Sequence, residues 1–186
     1  MKAKWFLPLV VLFLTACGYN SIQTMDETAA AARQQIEVQL QRRADLVPNL
    51  VETVKGYAAQ EERIFTEVAQ ARSALLGARS GGNLGEMANA NQELTGALGR
   101  LLAISENYPQ LKSDQNFLQL QDELTGTENR IAVSRTDYNA MVKDYNAYIR
   151  KFPQVLTAKV IGAKARDYFE ASNAALGDAP KVDFSK

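Results

Sequence analysis

The sequence contains no histidine and a single cysteine, Cys17. Without histidine the usual general base at neutral pH is missing, and the common zinc-ligand sets cannot be assembled. A lone cysteine also forbids any disulfide within the chain. Charge of one sign is missing as well, since 21 basic residues face 21 acidic ones. That balance provides no basic surplus for a phosphate backbone, so no nucleic-acid partner is expected. No stretch alternates β-branched residues at period two, the pattern of a half-buried strand. Gly81 to Gly85 (GGNLG) lacks the lysine that would make it a phosphate loop. No Ser-x-x-Lys sits in a suitable context. Adjacent carboxylates such as Glu61-Glu62 and Asp122-Glu123 do not face one another on a helix and read as solvated surface. No cofactor, no metal and no catalytic residue are expected.

The amino terminus carries the most specific signal. Lys2 and Lys4 precede an apolar run from Trp5 to Leu14. A helix from Trp5 to Ala16 would reach only about 18 Å, short of a bilayer's roughly 30 Å core, which fits an export signal better than a spanning anchor. Leu14-Thr15-Ala16-Cys17 then resembles the lipobox of bacterial lipoproteins, in which a small residue precedes the cysteine whose sulfur receives lipid. The alternative is an ordinary buried thiol or cleavage site. The expected organisation is a signal peptide over residues 1–16, a lipidated amino terminus over 17–20, a helical domain over 21–176 and a flexible tail over 177–186. Two or three acyl chains on Cys17 would hold the protein on a membrane, since each buried CH₂ contributes about 0.8 kcal/mol. The expected place is the cell envelope, facing the periplasm. Gly18 stands where many Gram-negative lipoproteins kept at the inner membrane have Asp, which favours the outer membrane.

Everything after that reads as helix. Residues 21–77 place Ile22, Ala29, Ile36, Leu50, Tyr57, Ile64 and Ala71 at seven-residue spacing, a seam for partner helices. Thr24 and Glu27 have the spacing of a capping box. Pro48 interrupts the seam, and because the phase continues beyond it a kink near Asp45 to Pro48 is favoured over a reversal. Residues 77–85 (GARSGGNLG), with four glycines, predict a turn or flexible loop. A shorter helix over 86–107 follows, carrying Met87, Leu94, Leu98, Leu101 and Leu102. Ser113 or Asp114 caps the next one. There Phe117, Leu124, Ile131, Tyr138, Tyr145 and Phe152 lie seven apart, until Pro153 stops the helix. A last amphipathic helix is expected over 155–176. Together these patterns predict an all-α, elongated, antiparallel four-helix-bundle-like domain.

Two polar features interrupt the apolar pattern. Tyr138, Tyr145 and Tyr148 could stack on a glycan or headgroup, but their alignment with Phe117, Leu124 and Ile131 favours core positions with hydroxyls at a polar edge. Asn139 and Asn146 beside them could bond helix backbone or a partner. In the first helix Arg43 occupies the seam slot between Ile36 and Leu50. A buried unpaired charge costs several kcal/mol, so it needs an acid or an escape to solvent. Asp45 points to another face. Glu128 is the better partner, with Arg135 seven residues further along the same flank. The candidate structural polar layer, or docking point for a partner, is therefore Arg42, Arg43, Asp45, Glu128, Asn129 and Arg135.

Arg42 to Ala58 (RRADLVPNLVETVKGYA) and Glu106 to Ile131 (ENYPQLKSDQNFLQLQDELTGTENRI), followed by Arg135, Tyr138-Asn139, Tyr145-Asn146, Phe152-Pro153 and Tyr168-Phe169, closely resemble the LemA family. The likeness spans nearly all of the chain after the export signal. It implies a four-helix bundle displayed outside the cytoplasmic membrane, usually behind one transmembrane helix, where this sequence has a lipobox instead. The resemblance implies an accessory role and no established biochemical activity. The expectation is a non-enzymatic, lipid-anchored accessory or scaffold protein with an envelope or membrane protein as partner. The alternative is a binder of peptidoglycan or lipid.

Overall fold

The computed structural model describes the backbone of residues 6–170 and the side chains of residues 18–170. The Cys17 side chain and the tail expected over 177–186 lie outside that range, as does the end of the last expected helix. The chain is all-α and bundle-like, with no strand among the described residues. In order it forms α1 (Phe6–Lys55), α2 (Glu62–Gly81), α3 (Leu84–Ile104), a 3₁₀ turn (Ser105–Asn107), α4 (Pro109–Lys112), α5 (Gln115–Tyr148) and α6 (Gln154–Ile161).

Two compact units share the two long helices. Among the described residues the first comprises 6–36 and 132–168, and the second comprises 37–131 and 169–170. In the second unit α1 and α2 form an antiparallel hairpin. Arg72 reaches back to Ala44, and the Lys55 ammonium lies 5.6 Å from the centre of the Phe65 ring. α3 reverses again, and Tyr57 and Gln60 beyond the end of α1 bond Asp114 and Tyr108 before α5. The result is four helical segments running alternately up and down around Leu40, Val47, Leu50, Leu75, Leu94 and Leu101. In the first unit Ile22 of α1 packs with Tyr145 and Ile149, and with Ala158 of α6.

The helices differ from the sequence expectation at identifiable places. α1 does not begin at a Thr24 capping box, because it already runs from Phe6. Thr24 lies inside it, and its carbonyl accepts from the Thr28 hydroxyl at 2.7 Å. Nor does the helix stop at Pro48. Proline has no N–H to give the carbonyl four residues back, which is that of Ala44. Arg72 Nε of α2 donates to that carbonyl at 2.7 Å. The buried acceptor is thereby satisfied from outside its own helix, and α1 continues to Lys55. The interruption comes at residues 56–61, where the seven-residue phase is lost: Tyr57 is exposed, and Ala58 and Phe65 are buried in place of Tyr57 and Ile64.

The loop expected over 77–85 shrinks to Gly82 and Asn83. α2 extends through Gly77 to Gly81, and Gly82 ends it at φ 72°, a conformation that favours glycine. Asn83 then caps α3, its side chain accepting from the N–H groups of Gly85 and Glu86 at 2.9 and 3.2 Å. Asp114, one of the two expected caps, accepts from the Phe117 N–H at 2.9 Å. α5 ends at Tyr148, short of Pro153, so the stripe from Phe117 to Tyr145 is buried and Phe152 is not. The last helix is also shorter than expected. Gly162, at φ 71°, terminates α6 after Ile161, and residues 163–170 run as non-helical chain.

Candidate functional site

In the second unit the seam of α1 carries one charge, Arg43, which is only 4% exposed. Its guanidinium is held by three side chains. Nη1 donates to Asn91 Oδ1 at 2.6 Å and forms an ion pair with Glu128, and Nη2 donates to Thr95 Oγ1 at 3.0 Å. Asn91 and Thr95 are one turn apart on α3, and Glu128 is on α5, so one cation ties three helices. Burial pushes the guanidinium pKa below its ordinary value, and the Glu128 carboxylate opposes that shift. Glu128 remains partly open to solvent.

The other residues of the expected layer lie at less buried positions than Arg43. Arg42 and Asn129 are exposed. Asp45 is exposed as well and accepts from Gln41 Nε2 at 2.6 Å. Arg135 is half-buried in the first unit. Asn91 and Thr95 were missed, although Asn91 falls between Met87 and Leu94 in the apolar stripe of α3. A polar residue in a seam slot is the same signal that singled out Arg43.

In the first unit the segment after α6 is strapped onto α5 by side chains. Asn146 grips the backbone of Arg166 twice: Nδ2 donates to the Arg166 carbonyl and Oδ1 accepts from its N–H, both at 2.9 Å. The Tyr145 hydroxyl donates to the Lys164 carbonyl at 3.1 Å, and the Tyr138 hydroxyl donates to the Asp167 carbonyl at 2.8 Å. Desolvation raises the pKa of both phenols. Non-helical chain needs partners for its peptide groups, and these three residues of α5 supply them. Both tyrosines are buried, with their hydroxyls engaged, and present no stacking face for a glycan.

Arg166 adds an ionic contact, its Nε lying 2.7 Å from Asp26 Oδ1 on α1. The hydrogen bond from Arg166 holds the Asp26 carboxyl below the usual carboxylate range. Asp26, Arg166, Ile22, Tyr145 and Gly162 border an open cleft of about 380 Å³. Its acid and base are paired with each other at close range, an arrangement that fixes the strap.

Exposed carboxylates elsewhere are also spent locally. Glu67 accepts from Arg63 and Arg100 at 3.2 and 3.0 Å, and Asp114 accepts from the Tyr57 hydroxyl at 2.8 Å. Among the described residues no three Cys, Asp or Glu side chains come together as a metal-binding group. No helix among them is long and apolar enough to cross a membrane.

The sequence profile of the LemA family matches residues 32–184. Two magnetosome proteins of Paramagnetospirillum magneticum, MamQ 1 and MamQ 2, are each 33% identical to the chain over 187 residues, covering 88% of it and 68% of their own length. Magnetosome protein MamQ of Magnetospirillum gryphiswaldense is 34% identical over 206 residues, covering 98% of the chain and 75% of its own length.

Proposed function

Because this chain belongs to the LemA family, we propose that it is a non-catalytic accessory protein of the bacterial cell envelope, held on a membrane by lipid at Cys17 and acting through protein–protein contact. One observation carries the reading: its perturbed ionisable groups are committed to internal contacts. Catalytic sites shift the pKa of groups that face an open pocket and a reacting atom. Here Arg43 is enclosed by Asn91, Thr95 and Glu128, and Asp26 is neutralised by Arg166. The tyrosines with raised pKa, Tyr138 and Tyr145, donate to backbone carbonyls. These contacts fix helix register and a strap, which is what a rigid docking body needs.

The relatives support the same reading, being named for the magnetosome and not for a reaction. The export signal and the Leu14-Thr15-Ala16-Cys17 sequence support a lipid tether, and Gly18 after the cysteine supports the outer membrane in a Gram-negative cell. The test is crosslinking in intact cells followed by recovery of the chain through an affinity tag. A defined envelope protein recovered in stoichiometric yield is the expected result. Recovery of peptidoglycan sacculi or lipid without protein would overturn it and establish a binder of envelope material.

A further inference from the structure

α6 and the turn before it leave large apolar side chains uncovered. Phe152 is 79% exposed, Leu156 50% and Val160 80%. Leu156 and Val160 are one turn apart on α6, and Phe152 precedes Leu156 by the same interval. The charge around them is one-sided. From Tyr145 to Arg166 the sequence holds Arg150, Lys151, Lys159, Lys164 and Arg166 and not one carboxylate, in a chain whose charges balance overall. Arg150, Lys151 and Lys159 are exposed.

The start of α6 lies beside the amino-terminal chain. A Cβ placed on Gly18 would come within 3.2 Å of Gln154 Cγ, so α1 touches the start of α6 one residue after Cys17. Residues 1–25 also lack any carboxylate, and Tyr19 is exposed. Exposed aromatic and aliphatic side chains with Arg150, Lys151 and Lys159 close by in the sequence match the headgroup region of a bilayer. There apolar groups enter the acyl boundary, and Lys or Arg remains with anionic phosphates.

We infer that Phe152, Leu156 and Val160, with Arg150, Lys151 and Lys159 around them, form a face that lies on an anionic bilayer and orients the first unit on it. The inference rests on the proposed tether at Cys17. The tether supplies residence on the membrane, and the α6 face supplies orientation.

The test uses the full, acylated chain in vesicles of phosphatidylethanolamine and phosphatidylglycerol. Val160→Cys and, separately, Val133→Cys carry an environment-sensitive fluorophore, and nitroxide-bearing lipid acts as quencher. Val133 is an exposed residue of the same unit, about 22 Å along α5 from its end. Labelling of the parent chain, which has no added cysteine, reports any free thiol at Cys17. The expected result is that the chain floats with vesicles, that the probe at 160 loses most of its emission and that the probe at 133 keeps its own. Lys151→Ala and Lys159→Ala should each lower the docked-to-undocked ratio roughly fivefold. A chain that floats with an unquenched probe at 160 overturns the inference and leaves the tether standing. Equal quenching at both positions, or self-quenching between labelled copies, overturns it as well. A chain that does not float, and whose parent form labels at Cys17, overturns both readings.

Discussion

Pro48 and Arg72 should behave as a coupled pair although 24 residues separate them. Pro48 leaves the Ala44 carbonyl without its helical donor, and Arg72 Nε replaces that donor at 2.7 Å. Ala44 is fully buried. In Arg72→Met the aliphatic stem keeps its packing and the carbonyl loses its replacement donor. An unsatisfied buried acceptor costs about 1–3 kcal/mol, so a melting temperature lower by about 4–8 °C is expected for a loss near 2 kcal/mol. In a Pro48→Ala background the residue-48 N–H bonds Ala44 directly. The same Arg72→Met change should then cost less than about 1 kcal/mol, giving a coupling of about 1–2 kcal/mol in the double-mutant cycle. The assay is thermal melting of all four proteins followed by far-ultraviolet circular dichroism. If Arg72→Met costs as much in the Pro48→Ala background as in the parent chain, the guanidinium is not what allows α1 to pass the proline.

The Arg43 contact should show coupling of a different kind. Arg43→Glu places a carboxylate beside Glu128 in a buried slot and should cost about 3–5 kcal/mol, while Glu128→Arg, on a more exposed side chain, should cost about 1–3. The charge-swapped double variant should recover at least about 1 kcal/mol in thermal melts, and no effect of either single change would place Arg43 on the surface. Asn146→Ala removes both hydrogen bonds to Arg166, so tryptic cleavage after Lys164 and Arg166 should accelerate roughly tenfold to a hundredfold, with unchanged rates refuting the strap. Asp26 has a depressed folded-state pKa because it accepts from Arg166. Its contribution is therefore present above an unfolded value of about 3.9 and is lost as pH falls through the lower folded value. Amide exchange at residues 163–167, corrected for intrinsic rates, should rise below about pH 4 in the parent and stay level in Asp26→Asn. The same rise in both would remove Asp26 from the account.

The elements read correctly from the sequence were those whose signal is local and repeated. Phe117, Leu124, Ile131, Tyr138 and Tyr145 are all buried because a seven-residue apolar repeat can face one way only along a helix. The prediction failed where a distant side chain settles a local question. Nothing near Pro48 indicates that Arg72 will satisfy Ala44. Four glycines in nine residues predict a loop, yet α2 absorbs Gly77 and Gly81, each costing about 1 kcal/mol, while Leu75 and Leu84 are buried on either side of the turn. Only Gly82 and Asn83 turn the chain. The strap after Gly162 was hidden because its alternating alanine and basic residues fit a helix as well as a strap. Its partner Asn146 was visible as a polar residue beside the stripe, but a sequence does not reveal which backbone an amide will bind. For the candidate site, the contact between Arg43 and Glu128 was legible as a charge in a seam slot facing a polar break. Asn91 carried the same signal on α3 and was passed over, whereas Thr95, at an exposed position, carried none.

The proposed envelope role depends on lipid at Cys17, and the inference for the α6 face rests on that proposed tether. Cells expressing the chain should be grown with an alkyne-bearing fatty acid and the label read on the purified protein. The parent chain should take up label, and Cys17→Ser should take up none. Equal label in the two proteins, or label in neither, would contradict the tether and with it the proposed envelope role.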